Sequence, residues 1–275
     1  MMRSNLPMNK GLLPLFMLGW AGVAWSGCDD ATLMPAILDA ENNAENSAGT
    51  VIGLGYDLQC SRKSERSDAD SDTDELDSDA TIQFFEGELR ARGMLTGDAD
   101  ENPETLQELM GAASYVWSAA FTIKAGLFYR LEAEQTLDER QEAYGARLTL
   151  GKMGLFADND ALALSLNLAQ IDPETDTARA ALLTEKLDHY DRWDAELYFS
   201  YPMKGEPLEK ITVSYRYFRE QEAPAAIRQA GLDRYRYSKI MFWLKDELYL
   251  AYATGELPFD VAADQHVELG WSYSL

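Results

Sequence analysis

The sequence predicts an all-β fold, a closed antiparallel transmembrane β-barrel of about 10–12 strands with short turns at one end and longer loops at the other. Three observations predict it. Apolar residues take every second position through most of the chain beyond residue 49, and a period of two is the mark of a strand. The connections alternate between short and long. Beyond the N-terminal segment no apolar run is long enough for a membrane helix, so crossing a bilayer would need strands. A formal net charge of -23 excludes nucleic acid as a partner, because phosphate neutralisation needs Lys and Arg in excess. It also argues against docking on anionic lipid by overall charge alone.

Residues 1–27 read as a secretory signal. Arg3 and Lys10 precede an apolar run from Gly11 to Trp25 that is too short to span a bilayer, and Ala24-Trp25-Ser26 fits small-x-small cleavage. Ser26-Gly27-Cys28 also resembles the end of a bacterial lipobox, with Trp25 where Leu is usual. Lipidation of Cys28 is therefore one reading, and a Cys28–Cys60 disulfide in an oxidising compartment is the other. Residues 28–48, polar and rich in Asn, Ala and Asp, are expected to form a flexible leader. Residues 49–275 are expected to form the barrel.

Thr50–Leu58 reads as the first strand. The acidic segment 62–79 follows, in which Asp68, Asp70, Asp72 and Asp74 alternate as calcium ligands do, with Asp79 in the last liganding place. These aspartates are the metal candidates. An EF-hand wants Gly where Thr73 stands and Glu where Asp79 stands, and a solvated, self-repelling linker is the competing reading. Residues 80–95 form a second strand, with Phe85, Leu89 and Ala91 opposite Glu86, Glu88, Arg90 and Arg92. Ile123, Ala125, Leu127 and Tyr129 oppose Lys124, Gly126 and Arg130. Tyr144, Ala146, Leu148 and Leu150 oppose Gly145, Arg147 and Thr149. Leu occupies every second place from Leu162 to Leu168. Trp193, Ala195, Leu197, Phe199 and Tyr201 oppose Asp194, Glu196, Tyr198 and Ser200, and Ile211–Tyr217 continues the pattern.

Short turns fall near residues 117–120, 156–160, 204–207 and 245–247. Longer polar loops fall near 134–142, 172–190, 220–233 and 255–264. That rhythm is the wiring of a bilayer-spanning barrel. The faces set its orientation. Gly, Ser, Thr and Ala mixed with Arg and Glu suit a crowded or watery lumen, whereas a soluble core would carry Leu, Ile and Val inside. Tyr115, Trp117, Trp193, Tyr201, Tyr215, Tyr217, Trp243, Trp271 and Tyr273 near strand ends suit interfacial girdles.

Over roughly residues 50–275 the chain resembles Gram-negative outer-membrane β-barrel proteins in general. Its end, VELGWSYSL, looks like the C-terminal signal read by the barrel-assembly machinery, with Leu275 where Phe is usual. The hairpin Glu196–Tyr217 is similar to hairpins of substrate-specific porins. The resemblance implies the lipid bilayer and the assembly machinery as partners and the bacterial outer membrane as the location.

The projected lumen face holds Arg90, Arg92, Lys124, Arg130, Arg147, Glu196, Arg216 and Arg236, with Glu86, Glu88, Glu132 and Asp194. Guanidinium groups fixed along a bore pair with carboxylates of anionic solutes. The expectation is a narrow porin-like channel or binding barrel for small hydrophilic solutes, anionic ones included. The competing reading is a bore filled by Arg–Glu pairs, in a non-conducting structural or adhesion barrel. An outer-membrane protease or lipase would have to use His189 or His266, the only histidines, and neither sits in a convincing catalytic constellation. Phosphate loops, paired-Cys motifs and dinucleotide fingerprints are absent, so no catalytic residue and no cofactor is expected.

Overall fold

The computed structural model describes residues 30–42, 47–64, 82–97, 99, 102–183, 188–260 and 264–275. The signal segment, Cys28 and Asp68, Asp70, Asp72 and Asp74 lie outside them. The strands are β1 (Asp30–Asn42), β2 (Ser47–Lys63), β3 (Ile82–Thr96), β4 (Gln107–Ser118), β5 (Thr122–Ala133) and β6 (Arg140–Met153). They continue with β7 (Ala161–Thr175), β8 (Tyr190–Pro202), β9 (Leu208–Glu220), β10 (Arg234–Leu244), β11 (Leu248–Gly255) and β12 (Asp264–Trp271). Each strand pairs antiparallel with its sequence neighbours, and β12 pairs back onto β1 from Ala36↔Gly270 to Glu41↔Gln265. After Ser272 the chain resumes that pairing at Tyr273–Ser274, a two-residue β13 that extends β12. The sheet is thus a closed barrel of twelve full strands, with no free edge.

Residues 28–48 were expected to be a leader, and β1 corrects this. Leu33-Met34-Pro35-Ala36-Ile37-Leu38 is apolar on both faces, so it carries no alternation to read. Its inward residues, Ala36 and Leu38, pack with Met94, Tyr249 and Ala251 in an apolar patch of the bore. Its outward Ile37 stays exposed. A strand that is apolar on both sides is what results where the lumen is locally greasy.

Turns 119–121, 154–160, 203–207 and 245–247 gather at one end. The strand ends joined through 97–106, 134–139, 176–189, 221–233 and 256–263 lie at the other, the loop end. Two steps break the rhythm: β1 ends and β2 begins at the loop end only a few residues apart in sequence, and β2 ends and β3 begins at the turn end with most of the acidic segment between them in sequence. Two short helices, α1 (Thr177–Leu182) and α2 (Ala225–Ala230), lie in loop-end connections.

Burial fixes which face is which. Ile52 is 75 % exposed, Leu127 68 % and Leu168 63 %, whereas Glu132 and Glu268 are 1 % exposed and Arg192 is 2 %. In water each such Leu or Ile would forgo roughly 1.5–3 kcal/mol of burial, and hydrocarbon around the barrel removes that cost. The greasy rows therefore face lipid and the charged rows face the bore. Aromatic residues ring both ends of the belt. Tyr115 packs edge-on against Phe85 and Trp117 near the turns, and Trp193 packs against Tyr217 near the loops. Trp243 departs from the expected girdle: it points inward, donating its indole N–H to Thr212 Oγ1. A single-chain barrel with an even number of strands, short turns and a lipid-facing apolar belt is the bacterial outer-membrane form.

Candidate functional site: the charged bore

Strands β3, β4, β5, β8 and β9 bring charged inward residues to the bore, and the strand period aims them there. From β3, Arg92 donates to Glu108 of β4 at 2.5 Å and to both carboxylate oxygens of Glu196, on β8, at 2.5 and 2.9 Å. Glu108 also takes Arg216 of β9 at 2.7 Å and Arg130 of β5 at 3.4 Å. Arg130 pairs with Glu132 at 2.6 Å and with Asp194 at 2.5 Å, and Arg192 of β8 pairs with the same two carboxylates at 2.5 and 2.8 Å. Arg92, Arg130, Arg192 and Arg216 thus stand against Glu108, Glu132, Asp194 and Glu196, four cations to four anions. Four of the pairs, Arg92–Glu196, Arg130–Asp194, Arg192–Glu132 and Arg216–Glu108, cross the bore between β3, β4 or β5 and β8 or β9, and the others link neighbours along the wall.

Beside this lattice lies a cavity of about 20 Å³, lined by Arg90, Arg92, Glu108, Met110, Arg130, Arg147, Asn167 and Glu196. That is room for about one water molecule. Three side-chain atoms on its lining are buried and without a hydrogen-bond partner: Glu108 Oε1, Arg130 Nε and Asn167 Oδ1. They offer an acceptor, a donor and a second acceptor, the set that a water or a small polar group satisfies. Of the guanidinium groups on this lining Arg147 is the least engaged, 3.6 Å from Glu88 and 3.2 Å from the Met110 sulfur.

At the loop end, residues 102–106 fold into the mouth. Glu104 takes Lys239 Nζ at 2.6 Å and the Tyr237 hydroxyl, and lies 3.6 Å from His266. Lys239 reaches Glu268 at 2.6 Å and His266 meets Glu268 at 2.9 Å. Burial alone pushes the Glu104 carboxyl up, but the Lys239 ammonium and His266 beside it hold it well below the usual carboxylate range. Asn102 ties the loop to Met94 O, Thr105 hydrogen-bonds Asp260, and Leu106 packs with Phe218, Tyr237, Ala253 and Leu257. On the far side Arg179 of α1 pairs bidentately with Glu220 at 2.7 and 3.1 Å and stacks over Tyr190. Glu104, His266 and Glu268 bring three ligand-type atoms within 4.8 Å of one another. Lys239 Nζ already occupies the position between the two carboxylates, so the donors do not fit a metal ion while it stays there.

Of the residues predicted to line the bore, Arg90, Arg92, Lys124, Arg130, Arg147, Glu196 and Arg216 face inward. Arg236 does not. It is exposed on the outer wall with its guanidinium 5.8 Å from the Tyr217 ring. The reason is that β10 carries cations on both faces, Arg234 and Arg236 outside and Lys239 inside, so charge does not fix its phase. Cys60 is disulfide-bonded. The two histidines do not meet: His266 is buried in the mouth, while His189 lies exposed on the loop between β7 and β8, 3.1 Å from Asp172. Sequence reasoning missed Glu108, the hub of the lattice. Its signal was the inward row Glu108, Met110, Ala112 and Ser114 of β4.

No family model matches the sequence, and no curated protein is similar to it. Among solved structures the chain is similar to the NanC porin, at 8 % identity and a TM-score of 0.46 over 88 % of this chain and 100 % of that one. It is similar to the outer membrane channel DcaP of Acinetobacter baumannii, at 10 % identity and 0.42 over 90 % and 95 %. It is also similar to a loop-deleted form of OmpT, an outer membrane protein of Vibrio cholerae, at 8 % identity and 0.42 over 89 % and 98 %. What those proteins pass or bind stays with them.

Proposed function

We propose that this chain is a porin-like outer-membrane barrel that rests closed to hydrophilic solutes at neutral pH, its bore held shut by ion pairs. The observation that carries the reading is the lattice centred on Glu108, which joins opposite walls of the bore and leaves beside it space for about one water. Charges paired this way in a low-dielectric interior do not separate at little cost. In the cell, its closing segment Val267–Leu275 serves as the address read by the assembly machinery.

Planar-bilayer recording on the folded, heat-modifiable protein tests the reading. The expected trace at neutral pH is flat. Discrete steps of steady conductance from the unaltered chain would replace it with the open-channel reading. That second reading has one observation in its favour. The cavity lining carries four guanidinium groups against two carboxylates, which favours small anions over cations.

A further inference from the structure

The outer wall carries a cluster of charge that the bore does not use. Arg219 on β9 and Arg234 on β10 stand directly opposite one another in register, and Arg236 follows on the same outward row, opposite Tyr217. All three are exposed, and among the described residues none makes an ion pair. Like charges directly across a ladder destabilise it unless an anion lies between them. Elsewhere on the outer wall near the loops, the cation Arg140 is answered by Glu174 at 2.5 Å.

The position is as telling as the charge. Two aromatic residues share the cluster's rows: Trp193 stands opposite Arg219 and Tyr217 opposite Arg236, the two rings pack edge-on at 5.8 Å, and the Arg236 guanidinium lies against the Tyr217 ring. An aromatic pair of this kind sits at headgroup level in a bilayer. The three guanidinium groups are therefore held where lipid headgroups lie, outside the bore and away from any solute path. Guanidinium forks match phosphate oxygens in pairs, and a cation at a membrane surface is stabilised by an anionic headgroup.

We propose that Arg219, Arg234 and Arg236 bind the phosphate groups of an anionic lipid from the leaflet around the loop end of the barrel. The net charge of -23 opposes general attraction to anionic membranes, so the site selects one lipid locally. Its acyl chains lie against the belt below Trp193 and Tyr217.

Native mass spectrometry of the micelle-embedded protein, with lipid A added as probe, tests this. The unaltered protein is expected to retain one lipid A. An R219Q/R234Q/R236Q variant should hold it about 100-fold more weakly, since each cation contributes about a fivefold factor. R140Q, which removes a paired arginine, should leave retention unchanged, and heat-modifiable migration checks that each variant is folded. Dephosphorylated lipid A should not be retained. Equal retention by the triple variant overturns the proposal. So does inorganic pyrophosphate that displaces the lipid at equal concentration, because the site would then take free phosphate rather than lipid.

Discussion

Arg92 and Glu196, 104 residues apart in sequence, meet in the bore through a two-point pair at 2.5 and 2.9 Å. The pair joins β3 to β8 although the two strands are not neighbours in the sheet. Arg92 is shared with Glu108, so the contact belongs to a lattice rather than an isolated bridge.

If that lattice closes the bore, removing the crossing pair opens it. The R92Q/E196Q double variant keeps the balance of charge and a polar side chain at each position while dissolving the attraction. Planar bilayers should then show small discrete conductance steps that the unaltered chain lacks. A flat trace from the folded double variant would mean that other side chains or the mouth loop close the bore.

Glu108 has a second consequence, for stability. It is 4 % exposed and touches Arg92, Arg130 and Arg216. In E108Q three guanidinium groups lose a shared partner inside the barrel, at a cost of about 3–5 kcal/mol. Urea unfolding in micelles should show a lower midpoint for E108Q. The exposed-pair variant E206Q, which loses only contact with Lys245, should stay within about 1 kcal/mol.

The mouth loop gives a prediction of pH dependence. Glu104 is depressed well below the usual carboxylate range, so its contribution is full above the unfolded value of about 4.3 and fades only as pH falls through the lower folded value. Hydrogen exchange at residues 102–106 should therefore be as slow at pH 5 as at pH 7, once corrected for intrinsic rates, and should speed up only in stronger acid. E104A should speed it already at pH 7.

The same logic applies at the opposite end. The Asp160 carboxylate accepts backbone N–H groups from Leu155 at 2.6 Å, Phe156 at 2.5 Å and Ala157 at 2.9 Å, which builds the β6–β7 turn. Burial raises its carboxyl, but these donors win and hold it below its ordinary value. The turn should keep its protection at neutral pH and lose it as pH falls below the ordinary aspartate value. Asp160→Asn should expose amides 155–157 to exchange at every pH while leaving the bore closed.

Strand period and the sides of the bore were legible where the two faces differ in kind. In β5, Lys124 and Arg130 alternate with Ile123, Leu127 and Tyr129, and in β8 Asp194 and Glu196 alternate with Trp193 and Leu197. There the pleat alone separates lipid from lumen. It failed at β1, where both environments are apolar, and at Arg236, where both faces carry cations. The mouth was illegible for a different reason. Glu104 meets Tyr237, Lys239, His266 and Glu268 only because a loop folds back over strands more than 130 residues away, and no local pattern in residues 97–106 announces that docking. Glu108 lay between, visible as an inward position once β4 was phased but unremarkable among so many acidic residues.

The curvature of a narrow barrel gives the last prediction. At Gly145 in β6 an added Cβ would lie 1.9 Å from the Leu168 carbonyl oxygen on β7, so the two backbones approach more closely there than any side chain permits. At Gly151 on the same strand the nearest atom to a Cβ would be 3.7 Å away, an ordinary contact. Both glycines sit on the inward row, so they differ in closeness rather than in environment. Gly145→Ala should force the β6–β7 seam apart, costing about 1–3 kcal/mol and slowing closure of the barrel. Gly151→Ala should be neutral to within about 0.5 kcal/mol. Refolding into micelles, followed by the heat-modifiable band on a gel, measures both, and equal behaviour of the two variants would show that the seam yields without cost.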